Sequence, residues 1–150
     1  MKRNTRTLLS YLLTFTIVFP AYGQGLVNPI IQKGNVSINH QSHLKTIINQ
    51  TSNKAIINWQ KFSIKENHSV NFNQPNAQSI ILNRVIGNNY SIINGSLNAN
   101  GQVWLLNPNG ALIGKKGTIN AHGFMATTHG ISNLEFMKGN YKFKQNANLT

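Results

Sequence analysis

The fold is decided by two stretches, "GSLNANG" at residues 95–101 and "GTINAHG" at residues 117–123. They are offset by 22 residues, and every difference is conservative or a surface swap: Ser96 for Thr118, Leu97 for Ile119, Asn100 for His122. Within each copy apolar and polar residues alternate, the period of a strand. A repeat near 22 residues built from short alternating strands is the mark of a solenoid. Leucine-rich repeats share that period but need several fixed leucines and a helical segment, and neither occurs. A right-handed parallel β-helix fits better, each rung being two or three short strands joined by turns. Leu97 is then expected over Ile119 and Ala99 over Ala121 on the inside, with Asn98 and Asn120 outside. Gly95, Gly101, Gly117 and Gly123 fall at corners, where positive φ costs glycine little. Fainter copies extend the pattern: "KGNY" (138–141) against "KGTI" (116–119), and Asn76 and Ala77 under Asn98 and Ala99.

The rest of the chain agrees with an all-β class. Asparagine, 24 of 150 residues, joins Gly and Ser in punctuating short runs of Ile, Val, Leu and Phe. "SVNFNQ" (69–74) again alternates with period two, and no segment after the leader keeps a capped helical period. The leader itself stands apart. Lys2, Arg3 and Arg6 precede the apolar "TLLSYLLTFTIVF", and Ala21 and Gly23 sit at the −3 and −1 positions before Gln24. That is the layout of a secretory signal peptide over residues 1–23, cleaved between Gly23 and Gln24, and the run is short for a membrane span. A mature domain over residues 24–150 follows, long enough for between five and six rungs at most.

Of the 14 Lys and Arg, 11 lie after the leader, against two acids, Glu66 and Glu135, giving a mature charge near +9. Only Lys115 and Lys116 are adjacent, so the charge reads as solubility with weak attraction for anionic partners. Cysteine is absent, although small exported domains often depend on disulfides. Stacked apolar ladders and hydrogen bonds between rungs are expected to take their place. A chain without cysteine also cannot be locked by a bridge before it leaves an oxidising compartment.

"LLNPNGALIG" (105–114) puts a strong turn signal between two apolar runs. Asn107 precedes a proline and is pushed toward extended geometry. Pro108 presets the first turn position, Asn109 tolerates the second, and Gly110 suits the exit. Pro108 cannot donate to a ladder and belongs at a corner or edge. The stretch reads as strand, corner, strand within one rung. "GALIGKK" (110–116) is no phosphate-binding loop, because three residues separate its glycines and Lys116 stands where the hydroxyl should be.

Catalytic and ligand-binding classes find little support. The chain has no Asp, so the carboxylate pairs and the Ser-His-Asp triad of hydrolases cannot be assembled, and no enzyme is expected. "HQSH" places His40 and His43 on opposite sides of a strand, without a third ligand; no metal and no cofactor is expected. Trp59, Phe62 and Trp104 near Lys61 and Lys65 could stack on bases, but they read more simply as core or inter-rung aromatics, so neither a nucleic-acid partner nor a small-molecule substrate is expected.

Taken together, "INWQKFSI" (57–64), "SVNFNQPNAQSIILNRVIG" (69–87), "SIINGSLNANGQVWLLNPNGALIG" (91–114), "GTINAHGFMATT" (117–128) and "FMKGNYKF" (136–143) resemble, in order and spacing, the N-terminal secretion domain of two-partner secretion exoproteins, the filamentous haemagglutinin N-terminal or haemagglutination activity domain. The resemblance covers roughly residues 30 to 145. It implies a right-handed β-helix exported to the periplasm of a Gram-negative bacterium. There an outer-membrane β-barrel transporter with POTRA domains recognises it and directs it to the cell surface or the medium. Asn107, Pro108, Asn109 and Gly110 match the family's NPNG secretion motif. Asn83, Arg84 and Val85, with Asn94, Gly95 and Gly101, match the flanking pattern of its adhesin-like branch. Host-cell ligands would be bound through a passenger outside this chain. The sequence departs from the family in three ways: Ala111 replaces the usual Ile, the NPNL motif of one subfamily is absent, and the chain stops at Thr150, so the β-helix is expected to be incomplete at its C-terminus. The alternatives are a stand-alone surface adhesin or a non-functional fragment of a larger one.

Overall fold

Alternating Ile, Val and Leu lay down fourteen short strands, which the computed structural model describes over residues 25–145. In chain order they are β1 (Leu26–Val27), β2 (Ile30–Lys33), β3 (Val36–Ser42), β4 (Lys45–Gln50), β5 (Lys54–Trp59), β6 (Lys61–Phe62), β7 (Ser69–Asn73) and β8 (Ile80–Val85). There follow β9 (Ser91–Ile93), β10 (Ser96–Ala99), β11 (Gln102–Leu106), β12 (Ala111–Ile113), β13 (Thr118–Asn120), β14 (Gly123–Thr127) and a short helix α1 (Asn133–Lys138). The expected signal peptide and the Gly23–Gln24 cleavage site lie outside the described residues.

The chain winds as a parallel β-helix of about four turns. One face stacks β4, β7, β10 and β13 in parallel, and a second stacks β5, β8, β11 and β14. A third, narrower face holds β9 under β12, with Ile64 bridging to Ile93 below them. The predicted stack is present in the predicted register: Ser96 pairs with Thr118, Leu97 with Ile119 and Asn98 with Asn120. Leu97 is buried in the main core, with Ala99 and Ile119 packed against it.

Two expectations about the repeat are corrected. Asn98 lies over Asn71 and Ala99 over Phe72, not over Asn76 and Ala77. The turn between β7 and β8 carries extra residues, so Ser96 sits 27 positions after its partner Ser69, whereas Thr118 sits 22 after Ser96. The rungs are also fewer than five, because residues 26–42 do not wind. Instead β3 pairs antiparallel with β4 and β2 with β5, closing the N-terminal edge of two faces. An alternating pattern is the same for parallel and antiparallel strands, so only the pairing separates them.

The glycines of the repeat are needed for a reason other than φ. Positive φ among glycines occurs at Gly34, Gly110 and Gly139. At Gly95 a Cβ would lie 2.3 Å from the carbonyl oxygens of Lys65 and His68, and at Gly117 it would lie 2.1 Å from that of Ile93. At these two positions the rung below comes too close for any side chain, whereas at Gly123 the nearest atom is Gln102 Cγ at 3.1 Å.

The expectation of no helix is also corrected. Ser132 caps α1 by accepting a hydrogen bond from the Glu135 amide at 3.2 Å, and Gly139 (φ 78°) ends it in the left-handed region. These are the start and stop signals of a helix, and "KGNY" is its C-terminus rather than a rung. Both sides of the β5–β8–β11 sheet are consequently covered. Ala55, Ile57, Ile81, Val103 and Leu105 face the main core, while Ile56, Leu82, Trp104 and Leu106 pack under Ile131, Phe136 and Phe143. Trp104 meets the rings of Phe136, Tyr141 and Phe143 edge-on or tilted. Trp59 and Phe62 are fully buried against each other, so the aromatics are core groups.

Candidate functional site

The corner at residues 107–110 joins β11 on the second face to β12 on the third, as the turn chemistry predicts. The Gly110 amide donates to the Asn107 carbonyl at 2.9 Å, closing a four-residue turn. Gly110 takes φ 98° with open space around it, so glycine is required here for its backbone alone. Pro108 is exposed, in the turn and outside both strands.

The asparagines do more than turn the chain. Asn107 is 1% exposed. Its Nδ2 donates to the Asn89 carbonyl at 3.0 Å and to Ser91 Oγ at 2.9 Å. Its Oδ1 accepts from the Asn109 amide at 2.9 Å and from Asn109 Nδ2 at 3.1 Å. Asn109 Nδ2 also donates to the Gly87 carbonyl at 2.8 Å, and the Ser91 amide donates to the Gly110 carbonyl at 3.0 Å. Residues 107–110 therefore clasp the loop 86–91 of the preceding rung. Thr127 of the following rung accepts from the Asn107 amide at 3.0 Å. The corner is tied both up and down the stack. Every one of these bonds is between neutral groups, and burial strengthens the penalty for losing any of them.

The other motif residues spread over the body of the helix. Asn83 is fully buried within the core, its Oδ1 accepting from Trp59 Nε1 at 2.9 Å. Val85 is buried in the same core. Arg84, 8% exposed, faces only neutral acceptors: Asn58 Oδ1 at 3.0 Å, Asn133 Oδ1 at 2.8 Å and the Ile131 carbonyl at 2.7 Å. Burial without a carboxylate lowers its pKa from the usual arginine value. It pins the segment leading into α1 onto the sheet. Asn94 packs against Gly114, and Gly101 donates its amide to Gln74 Oε1 at 3.0 Å.

Asn89, Ser91 and Gly87 complete the corner, and Gln74 completes another. Gln74, buried, approaches Gln50 Oε1 at 3.1 Å and the carbonyls of Ser79 and Gln102 at 3.2 and 3.1 Å. Its backbone exchanges two hydrogen bonds of 2.7 Å with the Asn100 side chain. An amide stack thus runs through the corner between the first two faces. The acids are taken up separately: Glu66 pairs with Lys116 on the surface, and Glu135 accepts from Asn140. His40 lies on β3 and His43 in the hairpin turn after it. Among the described residues, no three of His, Cys, Asp or Glu come together as a metal site.

Residues 27–150 match the family described as the TPS secretion domain. Heme/hemopexin-binding protein from Haemophilus influenzae is 42% identical over 110 residues, 73% of this chain and 12% of that protein. Its counterpart from strain ATCC 51907 / DSM 11121 / KW20 / Rd is 43% identical over 90 residues, 60% of this chain and 10% of that protein. The chain thus spans about an eighth or less of the curated relatives it matches. The crystal structure of the HMW1 secretion domain from Haemophilus influenzae superposes with a TM-score of 0.78 and 40% identity, covering 84% of this chain and 33% of that one.

Proposed function

Because the chain belongs to the TPS secretion domain family, a family of secretion domains and not of catalysts, we propose that it targets a two-partner exoprotein for export. In this reading residues 1–23 take the chain to the periplasm and are removed between Gly23 and Gln24. An outer-membrane β-barrel transporter then recognises the domain through its POTRA modules and passes the exoprotein to the cell surface or the medium. The observation that carries the reading is the corner at Asn107, Pro108, Asn109 and Gly110, which binds two rungs together while leaving Pro108 and Asn109 at the surface.

Strand addition by the transporter module is the mode of capture we favour, since an unpaired edge offers backbone donors and acceptors in register. The strand at 97–99 does not serve in the folded domain, because β10 is paired on both sides. Among the described residues β12, β13 and β14 are each the last strand of their sheets. Adhesion or heme/hemopexin binding, if the exoprotein has it, we place in a passenger outside residues 27–150.

The test is export of the full chain in cells with and without the transporter. Release into the medium only when the transporter is present supports the reading. Equal release from both strains, or periplasmic retention in both, overturns it.

A further inference from the structure

Three asparagines are followed by glycine: Asn94–Gly95, Asn100–Gly101 and Asn109–Gly110. Glycine has no Cβ to shield its backbone nitrogen, and that nitrogen is the nucleophile of a spontaneous reaction. It gives up its proton and attacks the asparagine Cγ, and the side-chain nitrogen leaves as ammonia. Water then opens the five-membered imide at either carbonyl. The product is aspartate, or isoaspartate with the main chain running through the side chain.

The fold engages all three nucleophiles. The Gly95 amide donates to the Ile64 carbonyl at 3.1 Å, that of Gly101 to Gln74 Oε1 at 3.0 Å, and that of Gly110 to the Asn107 carbonyl at 2.9 Å. Gly95 and Gly101 are also buried. Two of the side chains under attack are held as well. Asn100 exchanges two hydrogen bonds of 2.7 Å with the Gln74 backbone, and Asn109 Nδ2 donates to the Gly87 carbonyl at 2.8 Å. Ring closure must break these bonds before the side chain can swing onto the next nitrogen. Asn107, the buried amide of the exposed corner, precedes Pro108, whose nitrogen has no proton to lose.

We propose that Asn94, Asn100 and Asn109 are deamidation sites of the unfolded chain and that folding closes all three. The chain thus carries a chemical clock that runs until the β-helix forms, whether or not a transporter acts on it. The clock has a consequence because both corners need amide donors. An ionised aspartate accepts hydrogen bonds and cannot donate them. At position 100 it sets a carboxylate against the Gln74 carbonyl, and at position 109 against that of Gly87. Isoaspartate also adds a backbone atom to a turn closed by short hydrogen bonds. Each conversion brings an anion into a chain that has no Asp. A chain that has aged before folding therefore loses the amides that tie one rung to the next.

The experiment holds the full chain at neutral pH in buffer and in guanidinium chloride, and follows its proteolytic peptides by mass spectrometry. Conversion at Asn94, Asn100 and Asn109 is expected to be at least tenfold faster in the denaturant, with Asn107 unconverted in both. Gly110→Ala, compared in denaturant where folding plays no part, is expected to slow Asn109 at least tenfold and leave Asn100 at its wild-type rate. On return to buffer, chains converted at Asn100 should fail to regain the wild-type circular dichroism spectrum, while unconverted chains from the same sample regain it. Equal rates in the two solvents overturn the protection by folding. Rates in denaturant no faster at these three than at asparagines before other residues overturn the sites. Refolding of converted chains to the wild-type spectrum overturns the clock. None of these outcomes touches the export reading, which is tested by release.

Discussion

Two corners of the same β-helix solve one problem in opposite ways. Between the first and second faces, a column of amides, buried Gln50 under buried Gln74 under exposed Asn100, satisfies the backbone of successive turns. Between the second and third faces, a turn at 107–110 reaches back to the rung beneath and keeps half of itself exposed. The first corner holds the stack together through its two buried glutamines, with Pro75, Asn76 and Asn100 exposed around them. The second holds the stack and also shapes a surface.

Substitutions can break or sharpen this contrast. The largest effect is expected for Gln74→Ala, which takes a partner from the Gly101 amide, Gln50 Oε1 and the Gln102 carbonyl in a partly buried corner. At about 1–3 kcal/mol for each group left unsatisfied, partly relieved by entering water, the loss should be about 3 kcal/mol in urea denaturation. Asn107→Ala comes next at about 2 kcal/mol, since it frees the Asn89 carbonyl and Ser91 Oγ. Amide exchange should quicken at residues 87–91 and stay slow in β7 and β10. Gly110→Ala meets no neighbour, and its cost of about 1 kcal/mol comes from φ alone, so asparagine there should be tolerated better than alanine. Asn109→Ala gives the smallest change, about 0.5–1 kcal/mol, because its site is open to water. If Asn109→Ala proved as damaging as Gln74→Ala, the two corners would not differ as described.

How much of this could be read from the chain depends on how local the signal is. The β-helix was legible because Leu97 and Ile119 sit on identical local patterns one rung apart. The turn was legible because Asn-Pro-Asn-Gly fixes its own backbone. The cap strands at 26–42 were not, since alternation carries no direction. The stack of Asn98 on Asn71 was hidden by the longer turn after β7, which shifts the register by 27 instead of 22. The repeat glycines were located correctly but for the wrong cause, because proximity to the rung below is a property of the stack. The helix was missed although Ser132 and Glu135 stand in the spacing of a capping box; a stretch as short as 133–138 leaves no periodic run to find. Asn107 could be placed at the corner, but its partners Asn89 and Ser91 lie 18 and 16 residues back, beyond any turn rule.

The central claim is that this corner belongs to the export signal. The most direct measurement is the release of Asn107→Ala into the medium, beside wild type, in cells that carry the transporter, at a temperature where circular dichroism shows both folded. The account predicts that wild type is released and that Asn107→Ala accumulates in the periplasm. Release of the folded variant at the wild-type rate would contradict it and leave residues 107–110 as a turn that holds two rungs and nothing more.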